Sequence, residues 1–372
     1  MTTVAVICEY NLFHNGHARL ISAIKERFGE DTCVVSLMSG NFTQRGLPAA
    51  TDKYLRAHAA LLSGSDLTLE LPAPYAFSVA ERFATAGVEL ADKLGCIDYL
   101  AFGSECADVS RLTLTAERFS SEEYESALKA ALSTADGEES YIRTRQRVYE
   151  ELYGEIELLP NDQLGVEYLT ALSKTLVRPA VFARTGSETA TESRAAFLSG
   201  DDAALSRLVP RSALELYEKA VPASYAPLSA AVLSFLRLAD PATLAGYEGM
   251  NHDLAYRFVR VAKESRTIDE FFDTCATKKY TRARVRRGVL NCMLGVKADD
   301  FSTVGHTLVL SANEKGCELL SRMKKCSAVP VYTKGSSVED VISARSDALY
   351  TLALHESAEA GAILRKSPII LK

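Results

Sequence analysis

The chain has 372 residues, of which 47% are hydrophobic and 24% charged, with a formal net charge of -6 and a pI near 5.7. That length suggests two domains with a core that needs no covalent staples, and the acidic balance excludes a uniformly basic nucleic-acid coat. The eight cysteines form no C-x-x-C pair, and neither a signal-peptide pattern nor a spanning apolar run is present. A zinc ribbon, a disulfide framework and a membrane partner are therefore not expected, and the chain reads as cytoplasmic with reduced thiols.

In chain order, Thr3–Cys8 reads as a buried strand, followed by the loop Glu9–Asn15 and a helical pattern from His17 to Phe28. Thr32–Met38 is a second strand, Ser39–Ala50 a loop, and Asp52 caps a helix running to Ser63. Leu67–Leu71 is a strand ended by Pro72 and Pro74, Ser78–Leu94 a long helix, and Ile97–Phe102 a further strand ended by Gly103. One helical stretch is expected over Leu112–Ser133 and another over Ser140–Tyr153, a loop opening at Pro160, and a helix over Leu164–Leu176. Val177–Arg184 is expected as the last strand of a parallel sheet with helices on both faces. Beyond Glu192 the pattern predicts helices broken at Pro210, Pro222, Pro227 and Pro241, with no strand until Ala328–Thr333. The boundary falls near residue 200, dividing the chain into 1–200 and a mainly α-helical 201–372.

The run Glu9-Tyr10-Asn11-Leu12-Phe13-His14-Asn15-Gly16-His17 sits between a strand and a helix start. Ligands bind at the carboxyl ends of strands in such sheets, and a helix N-terminus suits a phosphate. Two imidazoles three positions apart can face that phosphate and stabilise charge on it and on departing pyrophosphate, and Gly16 lets ligand and backbone approach closely. The loop around Ser39, Gly40, Gln44 and Arg45 sets a guanidinium beside backbone amides, a plausible anion cradle. Lys53 and Arg56 lie three apart on one helix face. Gly103 at a strand end would admit a nucleotide, and the Asn161 amide, as donor and acceptor, suits a base or ribose. Finally, Lys278-Lys279-Tyr280-Thr281-Arg282-Ala283-Arg284-Val285-Arg286-Arg287 carries +6 within ten residues. At helical spacing Lys278, Arg282 and Arg286 form one stripe flanked by Lys279 and Arg287, able to follow a phosphate backbone, with Tyr280 free to stack on a base.

His14-Asn15-Gly16-His17 resembles the HxGH signature of the nucleotidyltransferase superfamily. The longer run, Met38–Ala49, Asp66–Pro72 and Pro160–Gly165 together resemble the bacterial tRNA(Met) cytidine acetate ligase family, with Leu12 where that family usually has Pro. The resemblance implies a Rossmann-like, doubly wound α/β catalytic domain over 1–200 and a tRNA-binding domain over 201–372. It implies ATP contacts at Ile7, Cys8, Glu9, Tyr10, Asn11, Phe13, His14, Asn15, Gly16, His17 and Leu20, and at Gly103, Asn161, Arg184 and Arg194. His14, His17 and Lys53 would be catalytic, with Lys53, Arg45 and Arg194 neutralising phosphates and Mg²⁺ shared between them. The implied partners are acetate and elongator tRNA(Met), not DNA. The implied product is N4-acetylcytidine at the wobble position, formed through acetyl-adenylate. The motif at Thr189–Arg194 departs from the superfamily's Ser/Thr-rich turn, because Ser193 stands where an apolar residue is usual. Two other classes stay open on the residues alone: a nucleotidyltransferase that adenylates a phosphate ester, and a non-catalytic RNA-binding protein on the same scaffold.

Overall fold

Thr3–Cys8 (β1), Cys33–Ser39 (β2) and Leu67–Leu71 (β3) are buried at every position, as strands covered on both faces must be. The computed structural model describes residues 1–134, 141–186 and 188–371. In it, β2 pairs with one side of β1 and β3 continues outward, while β4 (Tyr99–Ser104) pairs with the other side of β1 and β5 (Arg178–Ala183) lies beyond it. All these pairings are parallel. The chain reverses its direction across the sheet at β1 and β4, so a crevice opens at their carboxyl ends.

Alternate residues of β1 enter different cores. Val4 and Val6 face the side carrying α1 (Asn15–Phe28) and α2 (Lys53–Leu62), through Ile21, Ile24, Tyr54 and Ala57. Ala5 and Ile7 face the side carrying α3 (Ala80–Lys93), with Phe83 and Leu90 beneath them.

The expected single helix over Leu112–Ser133 is two, α4 (Val109–Phe119) and α5 (Glu122–Thr134). Ser120 returns its hydroxyl to the Ala116 carbonyl and Ser121 accepts the Tyr124 amide, so one helix stops and the next is capped. α6 spans Tyr141–Tyr153, and the expected start at Ser140 lies outside the described residues. Pro160 opens a helix rather than a loop: α7 (Pro160–Leu172) takes it at its first position, where no amide is needed.

β5 is not the last strand. Thr307–Ala312 (β6) runs antiparallel against β3, and the two-residue strands Val331–Tyr332 (β7) and Ile369–Ile370 (β8) pair with β6. The intervening chain is helical: α8 (Ala190–Ser199), α9 (Asp202–Leu208), α10 (Arg211–Tyr217), α11 (Ser229–Leu238), α12 (Pro241–Ala245), α13 (His252–Glu264), α14 (Ile268–Cys275) and α15 (Arg282–Leu294). α16 (Glu314–Cys326) and α17 (Val341–Thr351) follow β6. The core of this helical part, including Phe258, Phe271, Val285 and Val289, is continuous with the core beneath Val4 and Val6. The change near residue 200 is thus a change in helix content and not a break in the core. Among the described residues no helix is long and apolar enough to cross a membrane.

Candidate active site

His14 is the N-cap of α1, which begins two residues earlier than the pattern of apolar residues suggests. Its Nδ1 accepts the Gly16 amide at 3.1 Å, and the His14 amide donates to Nδ1 of His17 at 3.2 Å. An Nδ1 that accepts carries no proton, so each neutral ring keeps its proton on Nε2 as an outward donor. The two rings stack with centroids 3.7 Å apart. Burial holds His14 down to about 4, with Arg184 adding to the effect. Burial, then His14 and Arg184, hold His17 well below its ordinary value. The pair is a neutral double donor at pH 7. Gly16 is needed for a different reason than ligand approach. A Cβ there would stand 2.9 Å from Cε1 of His14 and displace the ring.

Much of the surrounding loop is structural. Cys8, Tyr10, Asn11 and Phe13 are buried, and Ile7 packs into the α3 side. Tyr10 pairs its hydroxyl with Ser36, Asn11 accepts the Ala50 amide, and the Phe13 amide donates to the Tyr217 hydroxyl. Burial pushes the Cys8 thiol well up, so it is no nucleophile. Asn15 donates to the Arg207 carbonyl, and Leu20 is half-buried on α1. The Asn11–Leu12 peptide is cis. These residues shape the site, while His14, His17 and Glu9 bring polar atoms to it.

The second loop comes from the end of β2. The Gln44 amide donates to Glu9 at 2.6 Å, and its side chain donates to the Ser78 carbonyl. Burial raises Glu9, opposed by the Gln44 amide and then by Arg56, Arg45 and Arg194. Ser39 is buried, and a Cβ on Gly40 would meet Glu70 at 2.5 Å. Arg56 is fully buried and donates to the carbonyls of Thr51, Glu9, Ser39 and Gly40. It ties the carboxyl ends of β1 and β2 together, a role that sequence spacing missed.

Lys53, expected on a phosphate, is spent elsewhere. Its ammonium lies 2.8 Å from Glu70 and 2.8 Å from Asp347, and it is 2% exposed. Burial opposes its charge, but Asp347 and Glu70 more than offset this and hold it above its ordinary value. Asn41 joins the network, donating to Asp347 and accepting the Lys53 amide. The ammonium therefore fixes the root of the second loop to α17.

On the other side of β1, Gly103 has nothing within 4 Å of where a Cβ would stand, an open ledge at the sheet's end. Glu105, the last residue of the Phe102–Glu105 stretch and given no role by the sequence, organises this wall. It accepts the amides of Asn161 and Asp162 and the side-chain nitrogen of Asn161, and it pairs with Arg184 at 3.3 Å. A carboxylate only accepts here, so Nδ2 of Asn161 must face it and Oδ1 is left to accept from a ligand. An acid at the end of a sheet strand beside Gly103 was the available signal. Asp162 in turn accepts from Ser104 and from the Glu105 and Cys106 amides. Arg194 stands one turn into α8, whose cap is a Thr189–Glu192 capping box.

The basic segment is not the exposed stripe its spacing predicts. α15 begins only at Arg282, so Lys278 and Lys279 precede it. Lys279 pairs with Asp253, and Arg282 with Asp269 and Asp273. Tyr280 is buried against Asn251 and cannot stack on a base. Arg287 donates to the Gln44 carbonyl, and burial brings it down to about 10.

Among the described residues no group of three or more His, Cys, Asp or Glu is arranged to hold a metal ion. Glu9 and Glu105 are already taken up by amides and by Asn161 and Arg184. The residues present do not fit a resident Mg²⁺ site.

Residues 1–362 match the family model described as HIGH Nucleotidyl Transferase. A protein of Acetivibrio thermocellus named tRNA(Met) cytidine acetate ligase is 31% identical over 370 residues, covering 90% of this chain and 88% of its own. One of the same name from Caldanaerobacter subterraneus subsp. tengcongensis is 32% identical over 383 residues, covering 91% of each. The crystal structure of Thermotoga maritima TmcAL bound with alpha-thio ATP covers both chains fully, with a TM-score of 0.90 at 26% identity.

Proposed function

The chain belongs to the HIGH nucleotidyl transferase family, and from that premise we propose that it is a tRNA(Met) cytidine acetate ligase. In the proposed reaction, acetate attacks the α-phosphorus of ATP and the bond to the β-phosphate oxygen breaks, giving acetyl-adenylate and pyrophosphate. The N4 amine of the wobble cytidine of elongator tRNA(Met) then attacks the acetyl carbon. AMP leaves with the electron pair and the amine gives up a proton. Adenylation matters because acetate alone has no adequate leaving group.

The observation that carries this reading is the His14–His17 pair. Two neutral Nε2–H donors at a helix N-terminus, at the carboxyl end of β1, suit the charge that develops on a phosphoryl group and departing pyrophosphate. Supporting it, Asn161 and Arg184 both gather on Glu105, two residues beyond the open ledge at Gly103, where a nucleoside would lie. Arg45 and Arg194 would neutralise phosphates. Lys53 is assigned a positioning role and not a phosphate contact, and Mg²⁺ would arrive on the nucleotide.

The test is exchange of labelled pyrophosphate into ATP by the full chain, without RNA. It should require acetate, and tRNA incubated with ATP and acetate should gain N4-acetylcytidine by nucleoside mass spectrometry. Exchange that needs no carboxylic acid, or that follows a phosphate ester instead, would overturn the reading.

A further inference from the structure

The α15 arginines are not remote from the nucleotide site. The start of α15 lies directly on the Thr43–Gly46 turn. A Cβ on Gly46 would stand 2.8 Å from the Arg287 amide nitrogen and 3.0 Å from the Arg286 Cβ. The Tyr225 hydroxyl donates to the Gly46 carbonyl at 2.7 Å, and Arg287 donates to the Gln44 carbonyl at 3.1 Å. The same turn gives its Gln44 amide to Glu9. Arg45 is therefore carried between Glu9 and Arg286.

Arg194 approaches from α8. Burial holds it below its ordinary value, and among charged neighbours Glu9 opposes this while Arg45 adds to it. Burial does the same to Arg286, and Arg282 and Arg194 both press on it. The other arginines of this region are engaged: Arg56 by carbonyls, Arg184 by Glu105, Arg282 by two aspartates. Among the described residues, Arg45, Arg194 and Arg286 make no ion pair, and Nε of Arg286 is buried without a hydrogen-bond partner. Arg194 and Arg286 are partly desolvated and are met by Glu9 and Asp269 without a direct ion pair, so an anion joining them and the exposed Arg45 would offset the cost of their burial.

We infer that Arg286, with Arg45 and Arg194, forms a phosphate-binding site at the seam between the sheet and the helical part, so that a residue of the C-terminal half touches a substrate phosphate. The inference rests on the reading of the crevice as one that uses ATP and RNA. The phosphate is supplied by the polyphosphate of ATP or by the RNA backbone beside the target base. Forked guanidiniums fit either source.

The test uses the full chain carrying Arg286→Gln or Arg286→Lys, with thermal unfolding as a check of folding. ATP affinity is measured by calorimetry without RNA or acetate, and affinity for a full-length tRNA transcript is measured across a salt series. Loss of a charged hydrogen-bonding partner should weaken one of the two by about tenfold or more, and Lys should restore only part of it. A fall in ATP affinity assigns the nucleotide. A fall in tRNA affinity with a salt slope shallower by about one, ATP being unaffected, assigns the RNA. Unchanged affinity for both in folded Arg286→Gln overturns the inference, and if that variant does not fold, unchanged affinities in Arg286→Lys do so. Should the wild-type chain lack acetate-dependent exchange while Arg286→Gln still loses affinity, the ligase reading fails and this site stands.

Discussion

At the scale of single residues, the histidine pair makes a prediction about pH. The unfolded chain takes a proton on His14 near 6.5, whereas the folded chain takes it only near 4. Between those values the unfolded state binds more protons, so folding stability falls as pH drops through that window. In the rate profile, kcat/KM for ATP reports the free enzyme. It should show no inflection near 6.5 from these imidazoles. His14→Gln or His17→Gln should lower turnover roughly a hundredfold, as loss of one transition-state donor does, with a much smaller effect on ATP affinity. An inflection near 6.5 that vanishes in either variant would contradict the neutral-donor assignment. Lys53 predicts the opposite balance. Lys53→Met leaves Glu70 and Asp347 buried without their cation, which should cost about 3–5 kcal/mol. Burial already raises Glu70, and removing the ammonium raises it further. The variant should therefore regain stability as pH falls and Glu70 takes a proton. Urea unfolding at about pH 7.5 and about pH 5.5 measures this. A stable variant that loses only ATP binding would restore the phosphate role read from its spacing with Arg56.

At the scale of elements, the Thr43–Gly46 turn links the crevice to α15. Gly46 has φ +68 and no room for a Cβ. Gly46→Ala should cost about 2 kcal/mol or more from backbone strain and the close approach. It should also weaken ATP binding, because the displaced turn carries the amide held by Glu9. Calorimetry on the folded variant reads the second effect, and unchanged ATP affinity would separate this turn from the site. The sequence exposed β1 to β4 and the His-Asn-Gly-His loop because buried parallel strands are continuous apolar runs bounded by Gly or Pro, whereas β5, half-exposed at the sheet edge, was legible from its short β-rich run alone. It did not expose the partners of the charged residues. Lys53 and Asp347 are 294 positions apart and Arg287 and Gln44 are 243 apart. No local pattern encodes such pairs. Tyr280 and Arg282 misled for the same reason: Asn251, Asp269 and Asp273 occupy them from neighbouring helices.

At the scale of the whole molecule, the missed strand β6 changes how the two halves relate. Thr307-Leu308-Val309-Leu310-Ser311-Ala312 carries the signal that revealed Thr3–Cys8, an apolar run bounded by Gly305 and Asn313. Helical patterns on both sides mask it in the sequence. β6 pairs with β3, and the core under Val4 and Val6 continues into α13 to α15, so residues 1–200 share both their sheet and their core with the rest of the chain. That fragment expressed alone should expose the β3 edge and a large apolar face, and so aggregate or remain partly unfolded. A monomeric fragment with a cooperative thermal transition would show that the catalytic half folds independently.

The β3–β6 pairing also sets a clock during synthesis. Leu71 ends β3 and Thr307 begins β6, so more than 230 residues must be translated before the edge finds its partner. At about 5–20 residues per second this takes on the order of 10–50 s. Throughout that interval Leu67–Leu71 has no neighbour on one side, while β2 can already pair with it on the other. Nascent chains stalled before residue 307 should therefore remain bound by chaperones and open to protease near β3, and those stalled well past residue 312 should not.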